Sequence, residues 1–158
     1  MNEALELEVG HKVLEVGTGC GWHSATIAEI VAPSDVDKEK WGHVYTAEIV
    51  TELATEARKN LENTGFSERV TVINSDGSMG YADQAPYDRI LATAAAPQVP
   101  PPLIEQLSVG GVMVLPLGGA FMFQTLMRLR KTSDGRVTKE DLGGVAFVPL
   151  TGRFGHNF

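Results

Sequence analysis

The chain has 158 residues, 43% of them hydrophobic, with a formal net charge of -7 and a single cysteine, Cys20. A chain of this length can bury on the order of 70% of its unfolded surface around one core, so a single domain over residues 1–158 is expected. The acidic balance and scattered cations argue against a nucleic-acid partner, whose phosphates call for clustered lysines and arginines. One cysteine excludes an intrachain disulfide, and no apolar run approaches the roughly 20 residues that span a bilayer. Without a charged-then-apolar leader after Met1, a cytoplasmic location, no membrane contact and a monomeric or weakly oligomeric state are expected.

In chain order, residues 13–17 form an apolar, β-branched run that reads as a buried strand, followed by glycines and a helix over 22–32 stopped by Pro33. A second strand is predicted at 43–48. Residues 51–63 carry Leu53, Ala54, Ala57 and Leu61 at helical spacing, with Gly65 beyond the end, and a third strand follows at 69–74. A fourth strand at 87–93, a short helix at 101–107, a turn at Gly110-Gly111 and a buried fifth strand at 112–117 complete the alternation. Residues 121–131 and 145–150 are strand-like and joined through Ser133-Asp134-Gly135 without a helix, as in a terminal antiparallel hairpin. The pattern predicts a three-layer αβα domain: a doubly wound, mostly parallel seven-stranded sheet ending in that hairpin, with ligands bound beyond the carboxyl ends of the strands.

The glycine loop selects the ligand. Dinucleotide folds place a small residue at the third glycine position of G-x-G-x-x-G, and here that position is Trp22, which disfavours an NAD-dependent oxidoreductase. The spacing is instead Gly17, Gly19, Gly21, with Glu15 two residues before the first, and it resembles the S-adenosylmethionine loop of class I methyltransferases. Glu48, ending the second strand, can accept two hydrogen bonds from a ribose diol. Asp76 can accept from an adenine amine, and Gly77 offers backbone on which a ring can lie. Ile49 follows the ribose acid and completes the cofactor set of Glu15, Gly17, Thr18, Gly19, Gly21, Glu48, Ile49, Asp76 and Gly77. The four histidines are dispersed without ligand spacing, so no metal is expected.

After the fourth strand, enzymes of this fold that methylate nitrogen carry Asn/Asp-Pro-Pro-aromatic. Here the segment is Thr93-Ala94-Ala95-Ala96-Pro97, which suits a nucleophile needing no proton removed. A carboxylate, with its pKa of about 4, is such a nucleophile. No catalytic acid, base or nucleophile is therefore assigned. The stretches Asp76-Gly77-Ser78-Met79-Gly80-Tyr81-Ala82, Ala85-Pro86-Tyr87-Asp88-Arg89-Ile90, Ala94-Ala95-Ala96-Pro97, Leu107-Ser108-Val109-Gly110-Gly111, Leu115-Pro116-Leu117-Gly118 and Val145-Ala146-Phe147-Val148-Pro149-Leu150-Thr151 together resemble protein-L-isoaspartate O-methyltransferases. The likeness runs in order from about Leu7 to Thr151.

This resemblance implies methyl transfer from S-adenosylmethionine to the α-carboxylate of L-isoaspartyl residues in damaged proteins, the first step of their repair through a succinimide. It also implies an acceptor pocket lined by Thr93, Ala94, Ala95, Ala96, Pro97 and the Pro149-Leu150-Thr151 end, and isoaspartyl proteins or peptides as partners. One departure is N-terminal: members of the family carry several dozen helical residues with a Ser-rich motif before the first strand, and here twelve residues precede Val13. The expectation is thus an enzyme in compact form or the core of a longer protein. The alternative is a cofactor-binding remnant with little catalysis that relies on a partner or on the missing segment.

Overall fold

The computed structural model describes residues 1–158. Its seven strands are β1 (Lys12–Val16), β2 (His43–Glu48), β3 (Val70–Asn74), β4 (Tyr87–Ala92), β5 (Leu107–Gly118), β6 (Gln124–Lys131) and β7 (Val137–Val145). They lie in the order β3-β2-β1-β4-β5-β6-β7. The first five run parallel, and β6 and β7 are antiparallel to their neighbours. The doubly wound sheet with a terminal hairpin is thus present as expected.

The strands are apolar on both faces because both faces are covered. On one face, Val13, Val44, Val70 and Val72 pack with Ile27, Ala28 and Val31 of α2 (Trp22–Val31) and Ala54, Ala57 and Leu61 of α3 (Thr51–Asn63). A short α1 (Asn2–Leu5), absent from the sequence reading, adds the fully buried Leu5 to this cluster. On the other face Leu14, Val16, Ile90, Met113 and Leu115 pack with Leu103 of α4 (Pro101–Gln106), Tyr87 and Leu150. The period of two along β1 therefore sends Val13 and Glu15 toward α2, and Leu14 and Val16 the other way.

Three boundaries depart from expectation. Gly110 and Gly111 lie inside the long β5 rather than turning the chain. The strand expected from residue 121 starts at Gln124, because Phe121, Met122 and Phe123 occupy the tight connection after Gly118, which pairs with Gln124. Those three side chains are exposed.

The last strand is the largest correction. It is the polar segment Val137–Val145, an edge strand paired on one side only, whose exposed residues need no apolar pattern. The apolar run at 145–150, read as a strand, instead crosses the end of β4: Ala95 N donates to Val148 O (2.8 Å) and Leu150 N donates to Ala95 O (2.8 Å).

The strand order reverses between β1 and β4, which leave toward opposite halves of the sheet and open a crevice beyond their carboxyl ends. At that split Gly17 follows β1 and Thr93 follows β4. Thr93 N donates to Val16 O (2.9 Å) and the Thr93 hydroxyl to Gly17 O (2.6 Å).

Candidate functional site

A cleft of about 470 Å³ lies at this split, within the range of small-molecule and cofactor sites. Its floor is Val16, Gly17, Thr18, Gly19 and Cys20. Ala47, Glu48, Ile49, Val50 and Leu53 form one wall, Trp22 and His23 a second, and Thr93, Ala94, Val148, Pro149, Leu150 and Thr151 a third, with Gly77 between β1 and β2.

The loop is held from below by a polar network centred on a buried acid. Glu15 is fully buried. Its carboxylate accepts from the Ser24 hydroxyl, from the Thr46 hydroxyl (2.7 Å) and from His23 Nδ1 (3.0 Å). Because the Thr46 proton is spent on Glu15, the Thr18 hydroxyl donates to Thr46 Oγ1 (2.6 Å). His23 Nε2 also meets Asn2 Oδ1 at 2.8 Å, which ties α1 to the same network. An isolated buried carboxylate would be costly, and this set of donors is what makes one tolerable here.

Gly17 shows why the sequence is glycine here. Its φ is +96°, and a Cβ on it would lie 2.4 Å from Thr93 Oγ1. Gly77 has a packing reason to be glycine as well: a Cβ there would stand 2.6 Å from Val16 Cγ1.

Glu48 is 7% exposed and borders the cleft. Oε2 accepts from Gly19 N (2.9 Å) and Oε1 from Val50 N (3.0 Å). Each carboxylate oxygen has two acceptor directions, so one on each oxygen stays open. Two open acceptor directions on neighbouring oxygens are what a vicinal diol requires.

Of the expected cofactor set, the structure brings Gly17, Thr18, Gly19, Glu48, Ile49 and Gly77 to the cleft. Glu15 lies beneath the loop. Gly21 caps the start of α2 and borders a separate hollow between α2 and α3. Asp76 stands behind Gly77, engaged with Ser78 and Arg153, and does not line the cleft.

Of the expected acceptor set, Thr93, Ala94 and Thr151 line the cleft. Ala95 and Ala96 are fully buried, bridged to Pro149 and Leu117, so their small size serves that packing. Pro97 borders a different hollow beside Phe154.

Sequence reasoning missed Trp22, Leu53 and Val148 as wall residues. The first two sit in the opening turns of helices that begin at the strand ends, a placement that could have exposed them. Val148 reaches the cleft only through the docking of residues 148–150 on Ala95. No group of three or more His, Cys, Asp or Glu is arranged to hold a metal ion, and no helix is long and apolar enough to cross a membrane.

The sheet order, the glycine loop over a buried acid and the second acid at the end of β2 define a Rossmann-like methyltransferase domain of class I. Solved structures share this fold: a protein-L-isoaspartate O-methyltransferase superposes with a TM-score of 0.85 at 27% identity, covering 97% of this chain and 46% of that one. A protein described as an enzyme of the same kind from Plasmodium falciparum, solved with S-adenosyl-L-homocysteine, gives a TM-score of 0.77 at 20% identity, covering 92% of this chain and 67% of that one.

The family model for protein-L-isoaspartate(D-aspartate) O-methyltransferase matches residues 1–155, and the chain belongs to that family. It is 54% identical over 155 residues to the protein-L-isoaspartate O-methyltransferase of Hyperthermus butylicus, covering 98% of this chain and 64% of that protein. The chain thus spans about two thirds of the length of that relative.

Proposed function

We propose that the cleft binds S-adenosylmethionine and that the domain transfers its methyl group to the α-carboxylate of L-isoaspartyl residues in damaged proteins or peptides. The observation that carries this reading is Glu48, a nearly buried carboxylate with one acceptor direction open on each oxygen, facing a glycine loop in a chain of this family. The residues present fit the cofactor: the loop brings backbone to the cleft floor at Gly17 and Gly19, Glu48 offers the diol two acceptors, and Ile49, Val50 and Leu53 offer a base an apolar wall.

When bound, the cofactor supplies an electrophilic methyl on a sulfonium. An acceptor carboxylate, already ionised at neutral pH, would need no residue of the chain to take a proton from it. The protein's part is orientation and partial exclusion of water, a contribution that reaches about 7–11 kcal/mol when reacting atoms are held in line. Thr93, Ala94 and Thr151, which share one wall of the cleft, would border the place where an acceptor meets the methyl. Their small or short side chains leave room for a backbone-linked carboxylate.

Two measurements test the reading. S-adenosylhomocysteine should raise the melting temperature by mass action while NAD leaves it unchanged. Labelled methyl should then pass to an isoaspartyl peptide and not to its aspartyl twin. Glu48→Ala should weaken cofactor binding by about 1–3 kcal/mol, because it removes acceptors of hydrogen bonds to a charged group. Unchanged affinity in that variant, or stabilisation by NAD instead, would refute the assignment.

A further inference from the structure

Two segments beside the cleft bring a run of apolar side chains to the surface. Val148 belongs to the cleft wall and is 69% exposed. Next to it, the connection between β5 and β6 carries Phe121, Met122 and Phe123, exposed by 82%, 72% and 94%. The buried Gln124 amide joins the two segments: its Oε1 accepts from Phe147 N (2.6 Å), and its Nε2 donates to Phe147 O (3.0 Å) and to Gly119 O (3.1 Å).

Single exposed apolar residues are ordinary, but a contiguous group at the mouth of a cleft marks a surface that something else covers. Neither 118–124 nor 145–152 contains an ionisable side chain, in a chain whose net charge is -7. The Phe121 ring also meets the Phe158 ring, with centroids 5.9 Å apart, which extends the patch. None of these exposed side chains packs into the core on either face of the sheet, so folding does not account for their apolar character.

An isoaspartyl carboxylate is joined to polypeptide on both sides. With that carboxylate at Thr93, Ala94 and Thr151, the chain bearing it has to leave the cleft over its rim, and Val148 stands in the same wall as those three residues. We infer that Val148, Phe121, Met122 and Phe123 form the seat for that chain and select damaged segments with a large apolar side chain near the isoaspartyl residue. The inference rests on the methyl-transfer reading of the cleft. Segments of this kind are what a partly unfolded protein exposes, because side chains of its core become accessible once packing is lost. Gln124 holds the strip in place beforehand, so a peptide side chain meets it at little ordering cost.

The test is fluorescence anisotropy of labelled isoaspartyl peptides titrated with the whole chain in the presence of S-adenosylhomocysteine. One peptide has only glycine and serine around the isoaspartyl residue, a series replaces one serine at successive positions by phenylalanine, and each has an aspartyl twin. At the best position phenylalanine should tighten binding by about 10-fold, the factor that burial of one large apolar side chain commands. A variant combining Phe121→Ser, Met122→Ser and Phe123→Ser should lose that gain while binding the glycine–serine peptide and S-adenosylhomocysteine as before; the replaced side chains are exposed, so the fold is kept. Equal binding of the phenylalanine and serine peptides, or a gain that survives in the variant, would overturn the inference. So would a dimer of the unaltered chain in sedimentation that the variant dissolves, because a second copy would then cover the strip. Discrimination between isoaspartyl and aspartyl twins with no phenylalanine gain refutes the strip alone; a phenylalanine gain with the twins bound alike refutes the methyl-transfer reading and leaves the strip as a seat for polypeptide.

Discussion

Gly17→Ala probes the turn at the sheet's split through two separable penalties. A residue with a Cβ held at φ +96° pays about 1–2 kcal/mol for its backbone alone. The new Cβ would also stand 2.4 Å from Thr93 Oγ1, and the hydroxyl can escape only by rotating away from Gly17 O, forfeiting a part-buried hydrogen bond of about 1 kcal/mol. Together these predict a loss of about 2–3 kcal/mol in unfolding free energy. Thr93→Ala alone should cost about 1 kcal/mol, and in that background the hydroxyl is already gone, so Gly17→Ala should cost only its backbone share of about 1–2 kcal/mol. Urea denaturation of the four proteins, with a common m-value, yields the coupling between the two sites. A coupling near 1 kcal/mol that makes the double variant more stable than additivity is the expected result. Strict additivity would mean that the Cβ and the hydroxyl do not compete for the same space, and a cost below about 0.5 kcal/mol for Gly17→Ala would refute the positive-φ turn itself.

Other expectations follow from the same geometry. Glu15→Ala strands the buried Ser24 and Thr46 hydroxyls and takes an acceptor from His23, which borders the cleft, and should cost about 3 kcal/mol by urea denaturation, whereas Glu15→Gln, which keeps one acceptor oxygen, should cost less. Arg69→Lys breaks a buried guanidinium that reaches Glu29 Oε1 (3.0 Å) and Ala32 O (3.1 Å) and lies over the Phe66 ring; a loss of about 1–3 kcal/mol is expected, and an unchanged denaturation midpoint would contradict it. Burial lowers the pKa of His43 below the usual histidine value of about 6.5. The unfolded chain then takes up its proton first on acidification, so the contribution is complete above about pH 6.5 and is lost as pH falls through that value toward the lower folded pKa. His43→Gln should therefore flatten the decline of stability just below pH 6.5, and an unaltered slope would count against it. Finally, Trp22 is 71% exposed on the cleft wall, while the Trp41 indole N–H is fixed to Pro33 O and Val36 O, so S-adenosylhomocysteine should change the fluorescence of Trp22 alone. Trp22→Phe should abolish the change.

What could be read from the sequence was what local rules encode. The β1 strand, the glycine loop, Glu48 at a strand end and the period of α3 each announce themselves within a dozen residues. Contacts between distant segments were not legible. The run at 145–150 has the composition of a strand, yet its partner is the short stretch after β4, where Ala95 donates one backbone bond to it and accepts one from it. The true edge strand, Val137–Val145, is polar on both sides because the hairpin turn and β6 suffice to pair it. Ala95 and Ala96 looked like the floor of an acceptor pocket because small residues also suit a tight crossing of chains, and composition does not separate the two uses.

The two acids that open and close this βαβ unit divide the work by how their acceptor capacity is spent. Glu15 meets side-chain donors from β2 and α2 and is sealed from the cleft, so its charge serves to hold the loop's two flanks together and is unavailable to a ligand. Glu48 takes just two backbone donors, one of them from the loop itself at Gly19, and keeps the rest of its acceptor capacity at the cleft wall. The Gly19 bond couples the pair: a loop fixed from beneath through Thr18 and Thr46 presents its N–H to Glu48 from above, so loosening Glu15 should also misplace the ribose acceptor. A Glu15→Gln protein that stays folded but binds S-adenosylhomocysteine less tightly, with the enthalpy rather than the stoichiometry reduced in calorimetry, would show that coupling. Full affinity in a folded Glu15→Gln protein would mean that the loop takes its shape from Gly17 and Thr93 alone.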